Sequence, residues 1–144
     1  MKFSEVSPTD DELKLLLEVG FVLRETGRFT DAATIFRGVA AFLPDSVVPQ
    51  VALGTVYLQQ GLFSSAEETL AAVLRSHPES SYARFHYAET LLFQQRREEA
   101  LAELESLCAK DLDPSQQRAA QALFQIADLI CAPNESNQNA GASL

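Results

Sequence analysis

The stretch Leu53-Gly54-Thr55-Val56-Tyr57, followed by Gly61-Leu62-Phe63, Ala66 and Pro78, decides the fold, because it has a counterpart 34 residues upstream. Gly20 precedes Gly54 by that step, Gly27 precedes Gly61, Phe29 precedes Phe63 and Pro44 precedes Pro78. Ala32, Ala66 and Ala100 extend the period to a third copy, as do Gly20, Gly54 and Ala88. Five columns agreeing on one step define an internal repeat, and a repeat of this length is one helix pair that buries its apolar face only by stacking.

The columns match the tetratricopeptide signature, a large apolar residue, Leu-Gly and Tyr in one helix, then Ala, Phe and Pro in the next. Repeat one, 13–46, supplies Leu16, Val19, Gly20, Leu23, Ala32, Phe36 and Pro44. Repeat two, 47–80, supplies Leu53, Gly54, Tyr57, Ala66, Leu70 and Pro78, with Gln50 in the large apolar column. Repeat three, 81–114, supplies Tyr87, Ala88, Leu91, Ala100 and Leu104; Arg84 and Gln95 depart from the pattern, and Pro114 closes the repeat two residues late. The resemblance implies an all-α protein, three helix-turn-helix repeats stacked in a right-handed superhelix.

Each column has a physical reason. The small residues at 20, 54 and 88 let the second helix cross the first closely, with Ala32, Ala66 and Ala100 meeting them. Gly27 and Gly61 suit a left-handed residue that caps a helix without a Cβ penalty. Pro44 and Pro78 stop the second helices, since proline lacks an N–H and restricts the residue before it. The predicted helices run over 9–26, 30–42, 47–60, 64–76, 81–94 and 97–110. Thr9 and Glu12 form a capping box for the first, and Ser64 is placed to start the fourth in the same sense.

After Pro114 a further helix is predicted over 115–131. Ala119, Ala122, Leu123, Ile126, Ala127 and Ile130 form one stripe at helical spacing. A repeat stack leaves an apolar end, so this segment is assigned as a capping helix. Residues 1–12 are a short leading segment, and 132–144, which lacks periodicity, is expected to be a disordered tail.

The 144 residues carry a formal net charge of −9, with 47% hydrophobic and 22% charged residues. That charge repels phosphate backbones, and Arg96-Arg97, the one basic pair, runs straight into Glu98-Glu99, so no nucleic-acid partner is expected. No segment reaches the ~18 apolar residues of a membrane span. Met1 to Pro8 lacks the apolar run of a signal peptide, and the expected location is the bacterial cytosol.

Cys108 and Cys131 have no Cys or His partner at metal-ligand spacing; they read as two buried free thiols, with a disulfide left open. No phosphate loop, nucleophile motif or metal cluster suggests an enzyme or a cofactor. His86, between Phe85 and Tyr87, reads as a packed histidine, and Glu67-Glu68 and Arg97-Glu98-Glu99 as solvated faces.

In such a stack the first helix of each pair lines the inner face, through its second, fifth, ninth and twelfth residues. These are Lys14, Leu17, Phe21 and Arg24; Val48, Val51, Thr55 and Leu58; and Tyr82, Phe85, Glu89 and Leu92. The groove they outline is mainly apolar. Phe21, Tyr82 and Phe85 are surplus to the fold's small-residue columns and suit pockets for the anchors of a bound peptide. Some tetratricopeptide co-chaperones grip a carboxylate with Lys and Asn in the fifth and ninth columns. Here those columns hold Leu17/Phe21, Val51/Thr55 and Phe85/Glu89, so the expected ligand is apolar.

Phe85-His86-Tyr87-Ala88-Glu89-Thr90-Leu91-Leu92 resembles the opening of the third repeat in type III secretion translocator chaperones. Gly27-Arg28-Phe29-Thr30-Asp31-Ala32 with Phe36 is similar to their first repeat. The resemblance implies a chaperone that holds an apolar segment of a secretion substrate before export. Those chaperones carry a longer helical extension ahead of repeat one, used in dimerisation, which leaves a homodimer of this chain open. The second reading is a permanent structural or adaptor subunit of a secretion or pilus-type assembly.

Overall fold

A computed structural model describes residues 6–131. Within them lie α1 (Asp10–Glu25), α2 (Phe29–Phe42), α3 (Val47–Gln59), α4 (Phe63–Ser76), α5 (Ser81–Phe93), α6 (Arg97–Cys108) and α7 (Pro114–Ile130). The protein is all-α, and the helix ends fall within one or two residues of those read from the sequence. The predicted tail, 132–144, and the first five residues of the leading segment lie outside the described residues.

The 34-residue period reappears as a repeated hydrogen bond. Arg28 N donates to Leu23 O (2.8 Å), Leu62 N to Tyr57 O (2.9 Å) and Arg96 N to Leu91 O (2.9 Å). Each closes a Schellman-type turn around a left-handed residue: Gly27 (φ 79°), Gly61 (φ 76°) and Gln95 (φ 64°). The third turn keeps the geometry without a glycine. Thr9 caps α1, accepting from Glu12 N while Glu12 Oε2 accepts from Thr9 N (2.7 Å). Ser64 caps nothing: α4 starts at Phe63, one residue earlier, because the Gly61 turn leaves Leu62 as the entering residue. Pro114 does not close α6 but opens α7, behind the Asp113 cap, where a missing N–H costs nothing.

Packing explains the small-residue columns, with one correction to the expected partners. A Cβ on Gly20 would sit 2.6 Å from Phe36 Cε1, and one on Gly54 2.8 Å from Leu70 Cγ. The large residue of the second helix, rather than Ala32 or Ala66, therefore demands the glycine. In repeat three, Ala88 and Leu104 are both fully buried in one core cluster.

Each helix packs on its neighbours in sequence. In addition the backbones of α1 and α3, of α3 and α5 and of α5 and α7 approach one another, while those of α2, α4 and α6 do not. The first helices thus form a closed inner row and the second helices splay outward, which makes the inner face concave. α7 joins the inner row where a fourth repeat would begin. It buries Ala120, Leu123 and Ala127. The predicted stripe is rotated: Ala119, Ala122 and Ile126 stay exposed, because α7 meets only α5 and α6 and no further helix covers its other flank.

Polar side chains tie the repeats together across distances that sequence spacing does not reveal. Glu67 of α4 accepts from Arg96 (2.6 Å) and from Gln94 (2.8 Å), so it is a bridge between repeats and not a solvated face. Arg96 also pairs with Glu99 (2.6 Å), and Arg97 with Asp128 on α7 (2.6 Å). Cys108 is exposed rather than buried; Cys131 is half-buried and its thiol donates to Leu92 O (3.3 Å). Both thiols are free.

Candidate concave binding face

The predicted groove residues lie on α1, α3 and α5 and sit at different depths. Phe21, Arg24, Tyr82, Phe85 and Glu89 are half-buried, Leu17 likewise, and Val48 is exposed. Val51 and Leu92 are fully buried. Their placement follows from the neighbours: Val51 faces α4 and α5 and packs with Leu70, Val73 and Ala83. Leu92 is covered by α6 and α7, in the cluster of Leu104, Leu107 and Leu123. Thr55 and Leu58 are nearly buried, yet both reach the floor of a hollow.

That hollow unites Arg24, Thr55, Leu58 and Glu89 with three residues the column rule did not select, Gln59, His86 and Phe93. Arg24 Nη1 donates to Thr55 Oγ1 (2.8 Å) and Nη2 to Glu25 (3.0 Å), while its guanidinium carbon lies 5.1 Å from the centre of the Phe21 ring. The buried Nε has no acceptor among the described residues. On the facing helix His86 Nδ1 lies 2.9 Å from Glu89 Oε2. A cation from repeat one and a carboxylate from repeat three thus flank the centre of the face. His86 also stands edge-on to Tyr82 and Phe85, each 5.1 Å away. Burial pushes the Tyr82 phenol above its ordinary value, with the Arg24 charge pulling the other way.

The aromatics are not surplus to the fold. Phe21 lies 5.2 Å from Phe36 and packs on the cluster of Ala32, Phe36 and Val56, and Phe85 packs on the cluster of Ala88, Leu91 and Leu104. Both are half-buried. Leu17 lies away from the centre, in a shallower hollow with Lys14, Leu13 and Leu43. Another hollow holds Tyr82 and Phe85 against α7, a wall that the columns of three repeats could not reveal. No group of three or more His, Cys, Asp or Glu residues stands together as a metal site among the described residues. No described helix is long and apolar enough to cross a membrane.

A concave inner row, half-buried aromatics and a 34-residue period define a tetratricopeptide-type scaffold. Residues 51–117 match the family model of the tetratricopeptide repeat. No curated protein sequence matches the chain. Among solved structures, PcrH from Pseudomonas aeruginosa superposes with a TM-score of 0.73 at 20% identity, over 84% of this chain and 95% of PcrH. PcrH in complex with the chaperone binding region of PopD gives 0.71 at 19%, over 87% and 97%. The Yersinia enterocolitica type III secretion chaperone SycD, in complex with a peptide of the translocator YopD, gives 0.69 at 20%, over 84% and 95%. At these identities the likeness is one of fold, and it spans nearly the whole described chain.

Proposed function

We propose that this chain is a cytosolic chaperone that holds an apolar segment of a type III secretion substrate along its concave face and keeps it soluble before export. One observation carries the reading: Phe21, Tyr82 and Phe85 stay half-buried on the inner helices α1 and α5 of a fold shared with PcrH and SycD. PcrH and SycD have each been solved with a translocator segment, PopD and YopD respectively. Half-exposed rings on a rigid concavity suit the anchor residues of an extended peptide.

On this reading the repeats are 13–46, 47–80 and 81–114, with 115–131 as the cap. The contact residues are Phe21, Arg24, Val48, Thr55, Leu58, Tyr82, Phe85 and Glu89, while Val51 and Leu92 support the face from beneath. On this reading the role is binding a partner rather than catalysis.

The test is co-expression with translocator-type proteins encoded in the same genome. The expected product is a stoichiometric complex on light scattering. Val48→Asp with Glu89→Lys changes the exposed side of the face and spares the core. The pair is expected to weaken the complex at least about ten-fold, roughly 1.4 kcal/mol, at unchanged melting temperature. Binding that survives both substitutions removes the concave assignment. A panel of translocators that all fail to bind removes the secretion assignment.

A further inference from the structure

The terminal helix of a repeat stack needs a polar outer face to stay in solution. α7 does not have one. Ala119, Ala122, Ile126 and Leu129 all stay exposed on it, Ile126 at 42% and Leu129 at 80%. They stand three, four and three residues apart, the spacing that keeps one seam of a helix turned to a partner helix. This seam is separate from the stripe of Ala120, Leu123 and Ala127 that α7 buries in the stack. α7 therefore has two apolar faces, and the fold of one chain covers one of them.

We infer that the exposed seam of α7 pairs, antiparallel, with the same seam of a second copy of this chain. The two-fold axis passes level with position 124 and closes a dimer at the α7 end of the stack. The inference goes beyond the concave-face reading and does not rest on it.

Size selects this partner. The alanines occupy the N-terminal half of the seam, and Ile126 and Leu129 the C-terminal half. An antiparallel copy sets the partner's Leu129 over Ala119 and the partner's Ile126 over Ala122, and the reverse. Every large side chain then meets a small one. A parallel copy sets alanine on alanine, and the gap forfeits packing contacts. A two-fold interface has to be complementary to itself, and the antiparallel direction alone satisfies that here.

Charge selects the same partner. The chain carries a net −9, so two copies repel wherever their acidic surfaces meet. α7 bears one cation and one anion, Arg118 and Asp128, and Asp128 is already paired with Arg97. Antiparallel pairing holds the two exposed Arg118 residues about 18 Å apart along the helix axis, beyond a Debye length. Parallel pairing sets them side by side. α1, at the other end of the stack, also exposes Leu15, Val19 and Val22, but all three are large. It also carries Asp10, Asp11, Glu12, Glu18 and Glu25 against Lys14 and Arg24. The α7 seam spans about 15 Å of helix, which places the contact at the small end of specific interfaces, and the dimer dissociates on dilution.

The test is sedimentation equilibrium of the full-length protein over a range of concentrations, with thermal melting as the check on folding. Wild type is expected as a monomer–dimer equilibrium. Leu129→Glu changes a side chain that the fold leaves in solvent. It is expected to raise the dimer dissociation constant at least about ten-fold, with the melting of dilute protein unchanged. Adding Ala119→Lys is expected to restore the dimer, because the antiparallel pair sets each new cation against a new carboxylate of the other copy.

A wild type that stays monomeric at every concentration overturns the proposal, and so does a dimer indifferent to Leu129→Glu. A dimer lost with Leu129→Glu and not recovered with Ala119→Lys overturns the antiparallel seam. Assembly that runs past the dimer and stops with Val22→Glu overturns it in favour of head-to-tail stacking of α7 on α1.

Discussion

The side-chain amide of Gln95 donates to the main-chain oxygen of Ile130, 2.9 Å away, across 35 positions of sequence. Gln95 holds the left-handed place that glycine holds in the first two turns, with φ at 64°. A non-glycine residue there costs about 1 kcal/mol, and the bond to the last turn of α7 offsets a similar amount. Gln95→Gly is therefore expected to be nearly neutral in urea denaturation. Gln95→Ala keeps the strain, loses the bond and should cost about 1 kcal/mol. Both variants should speed amide exchange at the end of α7.

The glycine columns divide into those that pack and those that do not. Gly54→Ala drives a methyl to within 2.8 Å of Leu70 and should destabilise by about 1–3 kcal/mol. Gly38 lies inside α2, and a methyl added there would meet nothing within 4 Å. Gly38→Ala should therefore stabilise by about 0.5–1 kcal/mol. Denaturation midpoints at constant m decide both.

The bridge between repeats two and three sets a pH dependence. Hydrogen bonds from Arg96 hold the Glu67 carboxyl below the usual carboxylate range, against burial, which acts the other way. A lowered folded-state pKa contributes stability above the unfolded value, near ~4.3, and loses it as pH falls through the folded value. The melting temperature of wild type should exceed that of Arg96→Met at neutral pH, and the gap should close below about pH 4. A gap independent of pH would assign the effect of Arg96 to packing alone.

The cap helix should be required for the third repeat. Leu123 sits in the cluster of Leu92, Leu104 and Leu107. Leu123→Ala is expected to cost about 2–4 kcal/mol, and to raise amide exchange in α5 and α6 before α1 and α2.

The two thiols should differ in reactivity. Cys108 is exposed, whereas Cys131 is half-buried, burial pushes its pKa up, and its hydrogen points to Leu92 O. Iodoacetamide near neutral pH should alkylate Cys108 first, and mass spectrometry of the digested protein gives the order.

Periodicity carries the fold because tetratricopeptide geometry is local. Residues 34 apart meet the same neighbours, so Gly20 and Gly54 reveal one crossing, and Leu23, Tyr57 and Leu91 one turn. The columns were less informative about the site. They placed Phe21, Tyr82 and Phe85 on the concave side, and they placed Val51 and Leu92 there too. Depth depends on what flanks a helix: Val51 packs on α4 and α5 and Leu92 on α6 and α7. His86, Gln59 and Phe93 fall outside the columns, and their nearness to Arg24 comes from the approach of α1 and α5 across α3.

By itself, then, the sequence determined the number of helix pairs and their ends, since these follow from spacing and turn chemistry within single repeats. Tertiary structure alone decided which groove residues reach solvent, which charges meet and what walls the hollow between α5 and α7. Glu67 finds Arg96, Gln95 finds Ile130 and Tyr82 faces Ala119 and Ala120 only once the repeats have stacked. Those relationships join residues about 30 or more positions apart, and no local period encodes them.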